Sequence, residues 1–152
     1  MTPISPDAKR FAAVLHPTPQ GLWCPEGQFF IDPPRPVDRA VITHGHADHA
    51  RWGHGHVLAT PETLAIMAVR YGADFAGSTQ SLEYGERVSV DGVEVSLHPA
   101  GHVLGSAQAA IRHGGITITA SGDYKRRRDP TCAGFEPVPS DVFITEATFG
   151  LP

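Results

Sequence analysis

Four metal-capable side chains fall within six positions of the stretch Thr43-His44-Gly45-His46-Ala47-Asp48-His49, in the order His-x-His-x-Asp-His. In an extended segment residues i and i+2 point the same way, so His44 and His46 at a strand end can hold one cation between them. A turn after His46 brings Asp48 and His49 to a neighbouring position, where a carboxylate oxygen and an imidazole suit Zn²⁺, Mn²⁺ or Fe²⁺. Two adjacent metal positions are the expectation. The bland alternative is a histidine-rich surface loop, and the presence of all four residues at this spacing argues against it.

Two more candidates sit at other strand ends. His102 closes His98-Pro99-Ala100-Gly101-His102 after an apolar run ending at Leu97, and Asp123 closes Ser121-Gly122-Asp123 after Ile116 to Ala120. Either alone reads as a turn residue; their shared placement beside the main motif makes both candidate ligands. Asp123 is the natural bridging carboxylate, one oxygen for each cation. Two cations a few ångströms apart lower the pKa of a bridging water and stabilise attacking and leaving oxygens in hydrolysis. Asp48, His49 and Asp123 are therefore the candidate catalytic residues, without a nucleophilic serine or cysteine. His98 precedes proline and is expected to play a supporting part, while His54 and His56 are expected to be solvated.

The histidines are the compositional anomaly: of nine, all but His16 and His113 lie in 44–56 or 98–102. Otherwise 152 residues, 41% hydrophobic and 18% charged, suit one ordinary globular domain with a single core. No apolar run is long enough for a membrane span. Met1 to Arg10 lacks a basic segment followed by an apolar one, so a cytoplasmic location is expected. Cys24 and Cys132 are too few for a disulfide framework and too far apart for a paired zinc site, which leaves structural thiols. A net charge of −4 provides no global footprint for nucleic acid, so any such binding needs local patches or bound cations.

The elements that must position these residues are mostly short strands. Met1 to Pro19 is proline-spaced and reads as an arm with a short strand or helix. Leu22 to Cys24 and Phe29 to Ile31 flank Pro25-Glu26-Gly27 as a hairpin, stopped by Asp32-Pro33-Pro34. Ala40 to Thr43 is a buried strand leading into the histidine loop, and Val57 to Ala59 another. Thr60-Pro61-Glu62 is a helix start, with the helix running to about Tyr71, burying Leu64, Met67, Ala68 and Tyr71, and stopping at Gly72. Val88 to Leu97 alternates around Asp91-Gly92, and Ala107 to Arg112 pairs with Ile116 to Ala120 across Gly114-Gly115. Val142 to Thr145 is a last short strand. Hairpins with few helices indicate an α+β fold.

With these residues in place, the chain resembles the metallo-β-lactamase superfamily. Gly21-Leu22-Trp23-Cys24-Pro25, Ile31-Asp32-Pro33, Gly101-His102-Val103-Leu104-Gly105-Ser106, Ser121-Gly122-Asp123-Tyr124-Lys125 and Thr145-Glu146-Ala147-Thr148-Phe149-Gly150 are similar to segments of the β-CASP nuclease branch, specifically the bacterial ligase-associated DNA exonucleases. The resemblance implies a partial αββα sandwich, its N-terminal half of mostly antiparallel strands. It implies a phosphodiesterase acting on DNA or RNA, with a place in DNA repair and association with a DNA ligase or helicase. It also implies two divalent ions, zinc or manganese: His44, His46 and His102 on one, Asp48 and His49 on the other, Asp123 between them. Lys125, Arg126, Arg127 and Arg128 follow Asp123 where a phosphate backbone could approach; a solvated loop is the plainer reading.

Members of this family continue past the Thr-Glu-Ala-Thr-Phe-Gly segment, through a β-CASP insert and a final stretch with a last ligand histidine. Residues 1–152 are thus expected to be the N-terminal part of a metallo-β-lactamase-type domain. Two other readings stand beside the nuclease. One is a small-substrate metallohydrolase of the glyoxalase or lactonase kind. The other is a non-catalytic metal-binding module that self-associates, or pairs with a partner chain, through an open sheet edge.

Overall fold

Alternation along the strand Arg39–Val41 and the residue after it fixes two layers at once: Val41 enters one apolar core, whereas Ala40 and Ile42 enter another on the opposite face. In the computed structural model, which describes residues 5–146, this strand lies within a six-stranded sheet. The sheet comprises β1 (His16–Thr18), β2 (Gly21–Cys24), β3 (Phe29–Ile31), β4 (Arg39–Val41), β5 (His54–Ala59) and β6 (Ala76–Ser81), in chain order across the sheet. A second sheet, ordered β11-β10-β9-β8-β7, comprises β7 (Arg87–Val90), β8 (Val93–Pro99), β9 (Ala107–His113), β10 (Ile116–Ala120) and β11 (Val142–Ile144). The two sheets enclose the larger core, including Phe29, Val41, Leu58, Val95, Leu97, Ile111 and Ile118.

Helix α2 (Pro61–Tyr71) covers the other face of the first sheet. Thr60 Oγ1 accepts from the Thr63 amide, Pro61 occupies the first turn and Gly72 ends the helix with φ of 92°. Met67 is buried and Leu64, Ala68 and Tyr71 pack beside it against Ala40, Ile42, Val57 and Ala59, the face that helical spacing requires. Helix α1 (Pro6–Val14) and β1 form the N-terminal arm, and Phe11, Val14 and Leu15 enter the inter-sheet core. Cys24 and Cys132 are both free, and burial pushes the Cys24 thiol pKa up.

The three expected hairpins are present as β2/β3, β7/β8 and β9/β10. Among the described residues five ladders are antiparallel and four parallel: β3/β4, β4/β5, β5/β6 and β10/β11. Parallel neighbours need long connections, and here the histidine loop and α2 provide two of them. Strand β6, absent from the sequence reading, owes its place to this β5-α2-β6 crossover rather than to its weakly patterned residues. The segment 145–150 lies outside the described residues from position 147 onward.

His54 differs from expectation. It heads β5 fully buried rather than solvated, with Nδ1 accepting the Val37 amide at 3.1 Å and Nε2 without a partner. His56, by contrast, is exposed beside Ser78. Burial lowers the His54 pKa below its ordinary 6.5. The unfolded chain therefore binds this proton more readily, and the contribution of neutral His54 is complete above the ordinary imidazole value and lost as pH falls below it. Urea unfolding of His54→Asn, whose Oδ1 can accept from Val37, should show a shallower loss of stability between about pH 7 and pH 5 than the parent chain. Parallel curves would contradict this.

Candidate metal centre

Three loops meet at one end of the two sheets. The first leaves β4, where Ile42 still pairs with Leu58 (N to O 3.0 Å), and turns sharply: the His49 and Ala50 amides both donate to the His46 carbonyl, at 3.0 and 2.8 Å. This is the turn that the spacing required. Helix α2 clamps the loop, since Arg70 donates to the Gly45 carbonyl and the Tyr71 hydroxyl to that of Ala50 at 2.9 Å. The second loop leaves β8 and carries His102, whose amide donates to Ser106 Oγ at 3.0 Å. The third leaves β10 and carries Asp123.

The loops come together through close backbone approaches. A Cβ on Gly101 (φ 71°) would stand 2.5 Å from the Lys125 carbonyl oxygen, and one on Gly122 (φ 55°) 2.7 Å from Thr43 Oγ1. Glycine at both positions lets the Asp123 loop lie directly against the other two.

One ligand atom each from His44, His46, His102 and Asp123 lies within 4.8 Å of the others. His102 Nε2 and His46 Nδ1 are 3.2 Å apart. Asp123 Oδ2 stands 3.6 Å from His44 Nε2, 3.6 Å from His49 Nε2 and 3.8 Å from His102 Nε2. Asp48 is mostly exposed, with Oδ2 3.5 Å from His49 Nε2. All six sequence-picked residues are thus drawn to one place, with Asp48 at its outer rim. Lys125 to Arg128 are exposed just beyond, Lys125 pairing with Asp129 at 3.1 Å. His98 stands apart, with Nε2 2.9 Å from Ser96 Oγ.

Asp32 was read from the sequence only as a strand stop, and the site depends on it. Its carboxylate accepts from the Thr43 amide at 2.8 Å, from Thr43 Oγ1 at 2.5 Å and from His49 Nδ1 at 2.8 Å. It adopts φ of 47°, in the left-handed region that Asp tolerates better than most residues. Its signal was its place in Ile31-Asp32-Pro33, a run that matched a family without suggesting a task.

This network fixes proton positions. Thr43 Oγ1 gives its only hydrogen to Asp32, so at 3.0 Å from His44 Nδ1 it must accept from that nitrogen. His44 Nε2 is left with a lone pair, buried and without a hydrogen-bond partner among the described residues, facing the cluster. Burial first, then the neighbouring His49, push the His44 pKa down to about 4, so the ring is neutral. His49 is the opposite case. Its burial works downward, but the hydrogen bond and charge of Asp32, with Asp123 and Asp48, raise its pKa above the ordinary value.

The donor set fits divalent cations. An imidazole lone pair without a partner among the described residues, two further imidazoles whose nitrogens are 3.2 Å apart, and a carboxylate 3.6 Å from His44 and 3.8 Å from His102 converge here. Two nitrogens on a tetrahedral zinc, each about 2.0–2.1 Å from it, stand roughly 3.4 Å apart.

Among known proteins, the chain is 32% identical over 133 residues to a probable DNA ligase of Opitutus terrae, covering 87% of this chain and 13% of that protein. It is 36% identical over 152 residues to the endoribonuclease YSH1 of Eremothecium gossypii, covering 75% of this chain and 20% of that one. The chain is thus similar to a part of each of these two proteins, in keeping with the resemblance to β-CASP nucleases read from the sequence. Its architecture is α+β, two helices and two sheets among the described residues. A solved metallo-β-lactamase from Cronobacter sakazakii superposes with a TM-score of 0.48 at 18% identity, over 74% of this chain and 60% of that one. No family model matches. The chain spans only 13% to 20% of the length of the two curated relatives named above.

Replacing Asp32 by Ala leaves the Thr43 amide, the Thr43 hydroxyl and His49 Nδ1–H without their acceptor. The loss is expected to be about 1–3 kcal/mol of unfolding free energy, measured by urea titration of metal-free protein. Wild-type stability in Asp32→Ala would show that these bonds do not hold the loop.

Proposed function

We propose that this chain carries the metal-ligating core of a metal-dependent nucleic-acid phosphodiesterase, DNA exonuclease-like in its specificity. The observation that carries this reading is the convergence of His44, His46, His102 and Asp123 around an imidazole nitrogen that nothing else satisfies. Resemblance to β-CASP nucleases supports the substrate class.

His44, His46 and His102 would hold one divalent ion, zinc or manganese, and Asp48 and His49 a second, with Asp123 serving both. Such ions supply a water of lowered pKa and positive charge opposite the attacking and leaving oxygens of a phosphodiester. The chain's residues do the rest. Asp32 and Thr43 keep the Nδ1 protons of His49 and His44 turned away from the site, so both Nε2 atoms face it. Arg70 and Tyr71 fix the loop that carries His46 and Asp48. The exposed run Lys125 to Arg128, adjoining Asp123, would receive the phosphate backbone and orient the strand.

The direct test is incubation of the purified chain with labelled single- and double-stranded DNA and Zn²⁺ or Mn²⁺, beside His46→Ala. The parent should release nucleotides and bind close to two metal equivalents, and His46→Ala should lose cleavage by about a hundredfold or more. Equal cleavage by both proteins would refute the site; hydrolysis of lactone or thioester substrates with DNA left intact would refute the substrate class.

Charge reversal at Arg126 and Arg127 checks the basic run. DNA affinity should fall, and the slope of log affinity against log salt should shrink by roughly one for each phosphate contact removed. An unchanged slope would leave the run a solvated loop.

A further inference from the structure

Three consecutive residues at the start of β9 touch all three ligand loops. Ser106 Oγ accepts from the amides of His102 and Val103, at 3.0 and 3.2 Å, and the Ser106 carbonyl accepts from Ala100 at 3.1 Å and from the Tyr84 hydroxyl at 2.8 Å. The Ala107 amide donates to the carbonyl of Thr43, the residue before His44, at 2.7 Å. Gln108 Nε2 donates twice, to the Pro99 carbonyl at 2.9 Å and to the Glu136 carbonyl at 2.7 Å. Pro99 opens the His102 loop, and Glu136 belongs to the segment that returns from Asp123. That segment is held to the His102 loop at two further points, Lys125 N to Ala100 O at 3.0 Å and Glu136 N to Pro99 O at 3.2 Å.

Gln108 is the informative member. It is completely buried, and its Oε1 has no partner among the described residues. A methionine of similar length would remove that unsatisfied acceptor but leave the Pro99 and Glu136 carbonyls without the Nε2 donor, so the glutamine is kept for the carbonyls it joins. What its amide alone supplies is a two-hydrogen clasp between the loop of one candidate ligand and the loop of another.

We propose that Gln108 is a positioning residue that sets the approach of the Asp123 carboxylate to the His102 and His44 imidazoles, with Ser106 and Ala107 completing the alignment. The proposal rests on the metal-binding reading above. Gln108 touches no metal and no substrate. It acts by fixing the separation of two loops, and a cation needing several donors at about 2 Å is sensitive to shifts of a few tenths of an ångström.

The test compares the parent chain with Gln108→Met, Ser106→Ala and Ile118→Val, the last a plain loss of core volume in β10. Each is titrated with Co²⁺ while its visible absorption is followed, then competed for Zn²⁺ against a chromophoric chelator, and its metal-free melting temperature is recorded. Gln108→Met should stay folded, yet bind metal at least tenfold more weakly and change the Co²⁺ spectrum. Ile118→Val should keep parental affinity and spectrum. Parental affinity and spectrum in folded Gln108→Met would overturn the proposal. Should Gln108→Met not fold, Ser106→Ala decides by the same readings, and failure of both to fold would overturn it by making the stretch a folding determinant. Absence of Co²⁺ binding by the parent chain would instead overturn the metal-binding reading, and the positioning role with it.

Discussion

The Asp32 carboxylate is the interaction on which the site depends. A cluster of imidazoles that must all point lone pairs inward is unfavourable in a folded protein, because each inward nitrogen forgoes a hydrogen bond. The cost is contained only if the outward nitrogens are firmly held. Asp32 does this for two rings at once, directly for His49 and through the Thr43 hydroxyl for His44. Its third bond, from the Thr43 amide, fixes the backbone from which His44 departs. One partly buried carboxylate thereby sets the chain path, the tautomers and the direction of two donor atoms.

Around this anchor the two sheets supply rigidity that loops alone would lack. Ala107 links the second sheet to Thr43, and β9 lies between β8 and β10, whose loops bear His102 and Asp123. His102 and Asp123 thus hang from the strands on either side of β9, each roughly 4.8 Å from it, while His44 and His46 reach them from the facing sheet. Gly101 and Gly122 remove the side chains that would otherwise keep the loops apart. The fold's contribution is to bring donors from three loops to one place.

Much of this was legible in the sequence because it is local. The His-x-His-x-Asp-His spacing, the Thr60 cap with Pro61, and the Asp91-Gly92 and Gly114-Gly115 turns each declare themselves within a few residues, and each is where it was read. His102 and Asp123 were legible by analogy of position, both following a strand. What was hidden is non-local. Strand β6 has little apolar pattern and exists because α2 returns the chain beside β5. Asp32 reads as punctuation before two prolines until Thr43 and His49 are folded onto it. His54 was misjudged because sequence shows a polar ring beyond a loop, whereas the register of β5 turns that ring inward, where Val37 donates to it.

Electrostatics gives the proposed function an internal consistency. The chain's net charge is −4, and three carboxylates, Asp32, Asp48 and Asp123, stand at or beside the site. A phosphodiester approaching these groups without cations meets charge of its own sign, and bound divalent ions invert that field locally. Beyond the site the sequence turns basic at Lys125, and the fold partly offsets this. Asp129 is held ionised, its pKa lowered to about 2 by hydrogen bonds from Thr131 and then by Lys125. Lys125 is thereby tied back to its own loop, whereas Arg126, Arg127 and Arg128 are presented to solvent. Guanidinium groups, with planar forks of donors, match phosphate oxygens better than a lysine already engaged. The proposed phosphodiesterase reading thus places its cation-holding residues and three solvent-facing arginines side by side in the chain.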